Sequence, residues 1–355
     1  MKIIIKTKYV KHLLFSIASL LSLLTFSQEK EADSKKFSLS GSVDAYYRVN
    51  LNGDNGSNTT SNLPHAAPGS SFANLPGFSL GMANVIATYE GQKVGFVGDL
   101  VFGPRGTDAI FASPLYSATG NIVNQLYVYW KVHESVKLTF GNFNTFLGYE
   151  VISPTGNYQY STSYLFSYGP FSHTGLKVDF ALSSDFTLML AVMNPTDATE
   201  LNPTGKYAFG AQLGYKGQFL NILTDDGAFE IDFTGGFNLT EEFYLGVNAA
   251  VFEKDDLGFA GVALYPQYTI DEQFSLGLRG EYFAERGNYG AIGTETADSD
   301  VLAMTLTANV KLGNLTLIPE LRLDSSSEAS FNFLDEDLLP QKSLSSFVLA
   351  AVYAF

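Results

Sequence analysis

Residues 315–324 read Leu-Thr-Leu-Ile-Pro-Glu-Leu-Arg-Leu-Asp. Leu315, Leu317, Leu321 and Leu323 fall on one face, and Thr316, Glu320, Arg322 and Asp324 on the other. A period of two belongs to a β-strand, whose successive side chains point to opposite faces. The same split recurs in Phe229, Ile231 and Phe233 against Glu230, Asp232 and Thr234, and in Phe274, Leu276 and Leu278 against Ser275, Arg279 and Glu281. From Phe37 to the end, this period and the turn residues between segments define sixteen candidate strands: 37–50, 77–90, 93–103, 121–132, 136–149, 168–182, 186–193, 206–216, 218–223, 228–238, 242–252, 258–270, 274–285, 300–312, 315–324 and 343–355.

Alternation alone does not say which face meets solvent, because a soluble sandwich turns its apolar face inward. Connection lengths do. After even-numbered strands come tight turns, such as Gly91-Gln92, Gly217 and Gly313-Asn314. After odd-numbered strands most connections are long and polar: 52–76, 104–120, 150–167, 194–205, 286–299 and 325–342. Only the connections near 224–227 and 253–257 break that rule. Short turns at one rim and long loops at the other are the pattern of a transmembrane antiparallel β-barrel, here of about 16 strands. Hydrocarbon enforces the closure, since every backbone N–H and C=O must be paired within the protein. Tyr and Trp near strand ends, including Tyr46, Tyr89, Trp130, Tyr149, Tyr215 and Tyr353, fit interfacial girdles.

Composition excludes much else. Of 355 residues, 36 are Asp or Glu and 21 Lys or Arg, for a net charge of −15, and none is Cys. Charged residues make up 16%, well below the roughly 25% of an average soluble domain. Nucleic acid is an unsuitable partner, because phosphate neutralisation needs clustered bases. Without Cys, and with four His in all, neither a disulfide framework nor a metal site is expected, and no cofactor is implied.

The amino terminus carries Lys2, Lys6, Lys8 and Lys11, then an apolar stretch from Leu13 to Phe26, then Ser27. That order reads as a Sec-type signal peptide over residues 1–27. A short periplasmic segment, 28–36, and the barrel, 37–355, follow. At the other end Phe355, Tyr353, Leu349 and Phe347 share one face, and Val352, Ala350 and Val348 the other. A terminal aromatic after such alternation resembles the C-terminal signature of outer-membrane proteins. Tyr353 and Phe355 are therefore the expected signal to the barrel-assembly machinery of a Gram-negative bacterium.

With outer-membrane lipid outside, the polar face lines the interior. It holds Asp44, Arg48, Asp99, Lys137, Lys177, Asp179, Glu230, Asp232, Arg279, Glu281, Glu320 and Arg322. About sixteen strands leave an aqueous channel unless something plugs it, so passive diffusion of small hydrophilic solutes or ions is the expected function. Five bases against seven acids in that set predict a weak cation preference. The charges could equally pair among themselves, as Arg279 with Glu281. The loop from Glu150 to Ser167 has no further charge but carries Tyr158, Tyr160, Tyr164 and Phe166, candidates for an inward constriction or for stacking on sugar rings. The loop from Ser325 to Lys342 carries Glu328, Asp335, Glu336 and Asp337, an acidic tip that is either simply solvated or a divalent-cation site.

The block Gly141–Ser183, GNFNTFLGYEVISPTGNYQYSTSYLFSYGPFSHTGLKVDFALS, preceded by NQLYVYWKV at 124–132, resembles the OmpL-like family of β-barrel porins. Its markers are Gly148-Tyr149-Glu150 at a strand end and His173-Thr174-Gly175 opening the next strand. The resemblance extends from about Gly41 to Phe355 and implies an outer-membrane channel without catalytic residues. Two other classes compete with it. A barrel-wall hydrolase would need His173 as base, yet its neighbour Ser172 points to the opposite face. An adhesive barrel with a closed lumen would use the Gly- and Asn-rich loop 52–76. A homo-oligomer is compatible with the apolar outer wall.

Overall fold

The computed structural model describes residues 36–56, 65–110 and 120–355. The expected signal peptide and residues 28–35 of the periplasmic segment lie outside them. The strands are β1 (Lys36–Asn50), β2 (Gly77–Glu90), β3 (Val94–Phe102), β4 (Val123–His133), β5 (Val136–Asn144), β6 (Ser172–Ala181), β7 (Phe186–Met193), β8 (Ala208–Tyr215), β9 (Gln218–Asp225), β10 (Ala228–Asn238), β11 (Phe243–Lys254), β12 (Leu257–Thr269), β13 (Phe274–Arg286), β14 (Asp300–Leu312), β15 (Leu315–Leu334) and β16 (Pro340–Ala354). Each pairs antiparallel with its sequence neighbours, and β1 pairs with β16, so the sheet closes into a barrel. The seam is continued by two reciprocal 3.0 Å bonds between the backbones of Gly41 and Phe355.

Period-two segments flanked by turn residues fold where the sequence places them. The expected strands 77–90, 186–193, 228–238 and 300–312 have those bounds, and the short segment 218–223 is a full strand paired on both sides. Three boundaries differ by four residues or more. The strand expected over 136–149 stops at Asn144, and the one expected over 168–182 starts at Ser172, because residues 145–171 leave the wall and turn inward. The expected loop 325–342 is largely strand, with only residues 335–339 at its tip. This hairpin carries polar side chains on both faces, so it lacks the apolar period that marks the rest of the wall. Register shifts after Ser325 and Ser330 bend it.

Two of its acidic residues, Asp335 and Glu328, serve the hairpin itself. Asp335 accepts 2.9 Å bonds from the N–H groups of Asp337 and Leu339, and Glu328 pairs with Lys342 at 3.4 Å. Among the described residues no group of three or more His, Cys, Asp or Glu side chains could hold a metal ion.

The apolar face is outside. On β15, Leu321 and Leu323 are 48% and 46% exposed, whereas Glu320 and Arg322 are 1% and 4% exposed. The same holds on β16, where Leu349, Tyr353 and Phe355 are exposed and Val348, Ala350 and Val352 are buried. An exposed leucine wall is stable only against hydrocarbon, which keeps its apolar surface out of water. A cation on that face should be costly in proportion to its depth. Leu321→Arg, near mid-height, is expected to lower stability by about 2–4 kcal/mol in lipid vesicles. Equilibrium urea unfolding checks this, with the turn substitution Asn314→Arg expected to change little.

Candidate channel lumen

Residues 145–171, here called L3, cross the interior instead of projecting from the rim. Their backbone supplies donors and acceptors that the charged wall consumes. Glu320 on β15 accepts the N–H groups of Tyr160 (2.7 Å) and Ser161 (3.2 Å). Glu281 on β13 accepts those of Tyr164 (2.9 Å) and Leu165 (2.8 Å), which open the short helix α2 (Tyr164–Tyr168). A carboxylate there satisfies free N–H groups and opposes the positive end of the helix dipole. Ser163 caps the same helix by accepting the Phe166 N–H at 3.0 Å.

The guanidiniums hold the carbonyls. Arg279 donates to Ser161 O and to Glu150 Oε1, each at 2.7 Å, both side chains being buried. The expected pairing of Arg279 with Glu281 is therefore corrected: two residues apart on one strand, they both face L3, and the partner of Arg279 comes from the loop. Arg322 grips Asp324 through two 2.8 Å bonds and donates to Thr162 O at 2.8 Å. Arg105, on helix α1 (Pro104–Ala109), donates to Ile152 O (2.7 Å) and Tyr160 O (3.0 Å). On the opposite wall, Asp232 accepts the Gly148 N–H at 3.1 Å and is held by Asn221 and Asn248.

The four aromatic candidates follow the loop inward. Tyr160 donates to Asp44 Oδ2 at 2.5 Å, and burial holds its phenol above the ordinary value, so it keeps its proton. Tyr158 donates to Ser275 at 2.9 Å. Tyr164 packs on Phe283 with ring centroids 5.5 Å apart and receives Arg322 over its face. Phe166 stacks on Phe171 at 4.8 Å. Room for them comes from glycines in the wall. A Cβ on Gly277 would stand 2.3 Å from the Tyr158 ring, and one on Gly246 would stand 2.4 Å from the Tyr149 hydroxyl. A glycine inside a strand marks such a close approach. That signal was in the sequence, and it would have shown where the loop docks.

Part of the first outer loop, L1, folds in as well. Arg48 donates to Ala66 O at 3.2 Å and to Asn50 at 2.7 Å, and Ala66, Phe72 and Ala73 are buried. Residues 65–76 thus pack inside the barrel mouth, where the sequence suggested a free loop.

Asp44, Arg48, Arg279, Glu281, Glu320 and Arg322 therefore face inward but lie beneath loops, on the β13–β15 and β1 side. Asp99 is buried among Asn84, Asn124 and Gln125, which donate to it at 2.6–3.4 Å. Lys137, Lys177 and Asp179 remain accessible. Asp179 lies 3.5 Å from Lys137 and 3.7 Å from Lys177. Beside them Lys131 pairs with Glu90 at 3.3 Å; neither was among the expected lining residues, because each sits next to a turn. Glu90, Lys131, Lys137 and Lys177, together with Gln125, Tyr127 and Tyr129, line a cavity of about 320 Å³ along β4–β6.

His173 does not enter this space. It is buried, its Nε2 lies 3.0 Å from Thr145 Oγ1, and its Nδ1 has no partner among the described residues.

A family model described as Putative beta-barrel porin-2, OmpL-like, matches residues 36–355. The chain belongs to this porin family. Among solved structures, the outer membrane channel DcaP of Acinetobacter baumannii is similar at 12% identity and a TM-score of 0.57, covering 94% of this chain and 100% of that one. An anion-selective porin from Comamonas acidovorans aligns at 15% identity and a TM-score of 0.57, over 91% and 100% of the two chains. OmpF of Salmonella typhi, solved with daunomycin, aligns at 11% identity and a TM-score of 0.58, over 90% and 98%. No curated protein matches the sequence. In this porin, as in its family, the strands form an outer-membrane barrel.

The loop network has a direct test. Arg279→Ala leaves Glu150 buried without its cation, which costs about 3–5 kcal/mol. L3 should then open, and limited chymotrypsin digestion of the folded barrel should cleave within 158–166, where the parent protein resists.

Proposed function

We propose that this porin is a narrow outer-membrane channel for passive diffusion of small hydrophilic solutes or ions, with the passage running along β4–β6. The accessible cavity lined by Lys131, Lys137, Lys177 and Glu90 carries this reading, since its polar walls suit water and small hydrophilic solutes. Three ammonium groups line it against Glu90, with Asp179 behind Lys137 and Lys177. Lys137 and Lys177 share one carboxylate, which leaves a positive excess. Of the acids that favoured cations in a plain count, Asp232, Glu281 and Glu320 hold the loop backbone, and Asp44 and Asp99 are bonded within the barrel. A weak anion preference replaces the cation preference read from the sequence, since charged side chains lining a pore set its selectivity.

The protein acts without catalysis in this reading. His173 has a hydroxyl neighbour in Thr145, yet it is closed to solvent and no carboxylate orients its Nδ1 among the described residues, so a base with access to substrate is not assembled. Export through the Sec pathway, recognition of Tyr353 and Phe355 by the assembly machinery, and association of copies through the apolar outer wall belong to the same proposal.

Conductance of the refolded chain in a planar bilayer under a salt gradient tests it. Stable small steps with a reversal potential on the anion side are expected, and Lys137→Glu with Lys177→Glu should move that potential to the cation side. Gly277→Leu, which displaces Tyr158, should enlarge the steps. A folded, inserted barrel that never opens would overturn the channel reading in favour of an adhesive barrel.

A further inference from the structure

At the outer mouth, away from the β4–β6 passage, a cavity of about 290 Å³ lies between the end of L3, the β7–β8 loop (194–207) and the outer ends of β9–β11. Tyr168, Asp197, Asp225, Glu230 and Phe252 line it, and the exposed Lys254 stands at its rim. Its volume sits at the small end of ligand pockets, which run roughly 300–1,000 Å³.

The three carboxyl groups are not equally served. Asp197 accepts the N–H groups of Phe171 (2.8 Å) and Ser172 (2.9 Å). Asp225 accepts the Thr196 N–H at 2.7 Å through Oδ2, while its Oδ1 is buried with no partner among the described residues. Glu230 is only 4% exposed, yet it makes no hydrogen bond or ion pair with any described residue. Every other buried wall carboxylate, from Asp44 to Asp324, has a donor. A buried carboxylate without one is unfavourable until a donor or a cation joins it. Beside it the rings of Tyr168 and Phe252 each pack on Tyr289, with centroids 5.7 and 5.9 Å apart. Aromatic faces attract cations and cover apolar groups.

We propose that this cavity binds a small organic cation, of the aryl- or alkylammonium or guanidinium class, whose N–H donors reach Glu230 and Asp225 Oδ1 while Tyr168 and Phe252 cover its apolar part. Three carboxyl groups against one ammonium provide the charge. The described side chains form no metal-binding group, and the aromatic wall suits an organic cation better than a hydrated metal ion. The site stands whether or not the β4–β6 passage conducts.

Isothermal titration calorimetry of the detergent-refolded barrel, with benzylammonium and its neutral analogue benzyl alcohol as probes, tests the assignment. Saturable one-to-one binding of benzylammonium, roughly tenfold or more tighter than of benzyl alcohol, is expected, because a desolvated charge pair contributes that much. Glu230→Gln should lose roughly the same factor, whereas Glu328→Gln, in the distant surface hairpin, should lose nothing. If Glu230→Gln does not refold, as judged by heat-modifiable migration, Asp225→Asn takes its place with the same expectation. Absence of saturable binding at millimolar benzylammonium, equal affinity for the alcohol, or undiminished binding by a folded Glu230 or Asp225 variant would overturn the proposal.

Discussion

A strand in hydrocarbon cannot leave a backbone N–H or C=O unpaired, and the rest of this structure depends on that constraint. It requires β1 to meet β16, so the sheet has no edge. Closure then assigns the two faces. The leucines of β15 take the lipid side and Glu320, Arg322 and Asp324 the inside. The interior therefore inherits nearly all the charge of the wall, and what the molecule does depends on how that charge is solvated.

Two solutions operate in one barrel. On the β13–β15 and β1 side, protein replaces water: L3 delivers backbone N–H groups to Glu281 and Glu320, carbonyls to Arg279 and Arg322, and a hydroxyl to Asp44. Charge-assisted bonds of this kind are strong in a low-dielectric interior, and each group left alone would be costly. On the β4–β6 side the lysines stay accessible, and the contacts of 3.3–3.7 Å with Glu90 and Asp179 are loose ion pairs. Wall glycines such as Gly246 and Gly277 make room where L3 aromatics press against the strands.

The inward candidates were legible as charges on a polar face, since alternation assigns Glu230, Arg279 or Lys177 to the lumen side once connection lengths mark a barrel. Their roles were not. Arg279 and Lys177 look alike in the sequence, each a base among alternating apolar residues, yet one is buried on Glu150 and Ser161 while the other stays partly exposed beside Asp179. Nothing local separates them, because the difference comes from a loop more than a hundred residues away in the chain. Glu90 and Lys131 were overlooked for a related reason. They sit beside turns, where a charged residue reads as rim decoration, and only the pairing of β2 through β5 brings them to one cavity.

The sequence by itself determined the strands, their number, the closed topology and the face each side chain takes, because a period of two and the lengths of turns are local properties of a chain. It also marked 150–167 as unusual through its aromatic, charge-free composition. Tertiary structure alone decided that this loop folds inward, that the polar tract after Asp324 continues as strand, and that some wall charges lie buried under L3 while others stay accessible. Those outcomes depend on desolvation, which is set by what lies opposite a residue across the lumen and not by its neighbours in the chain.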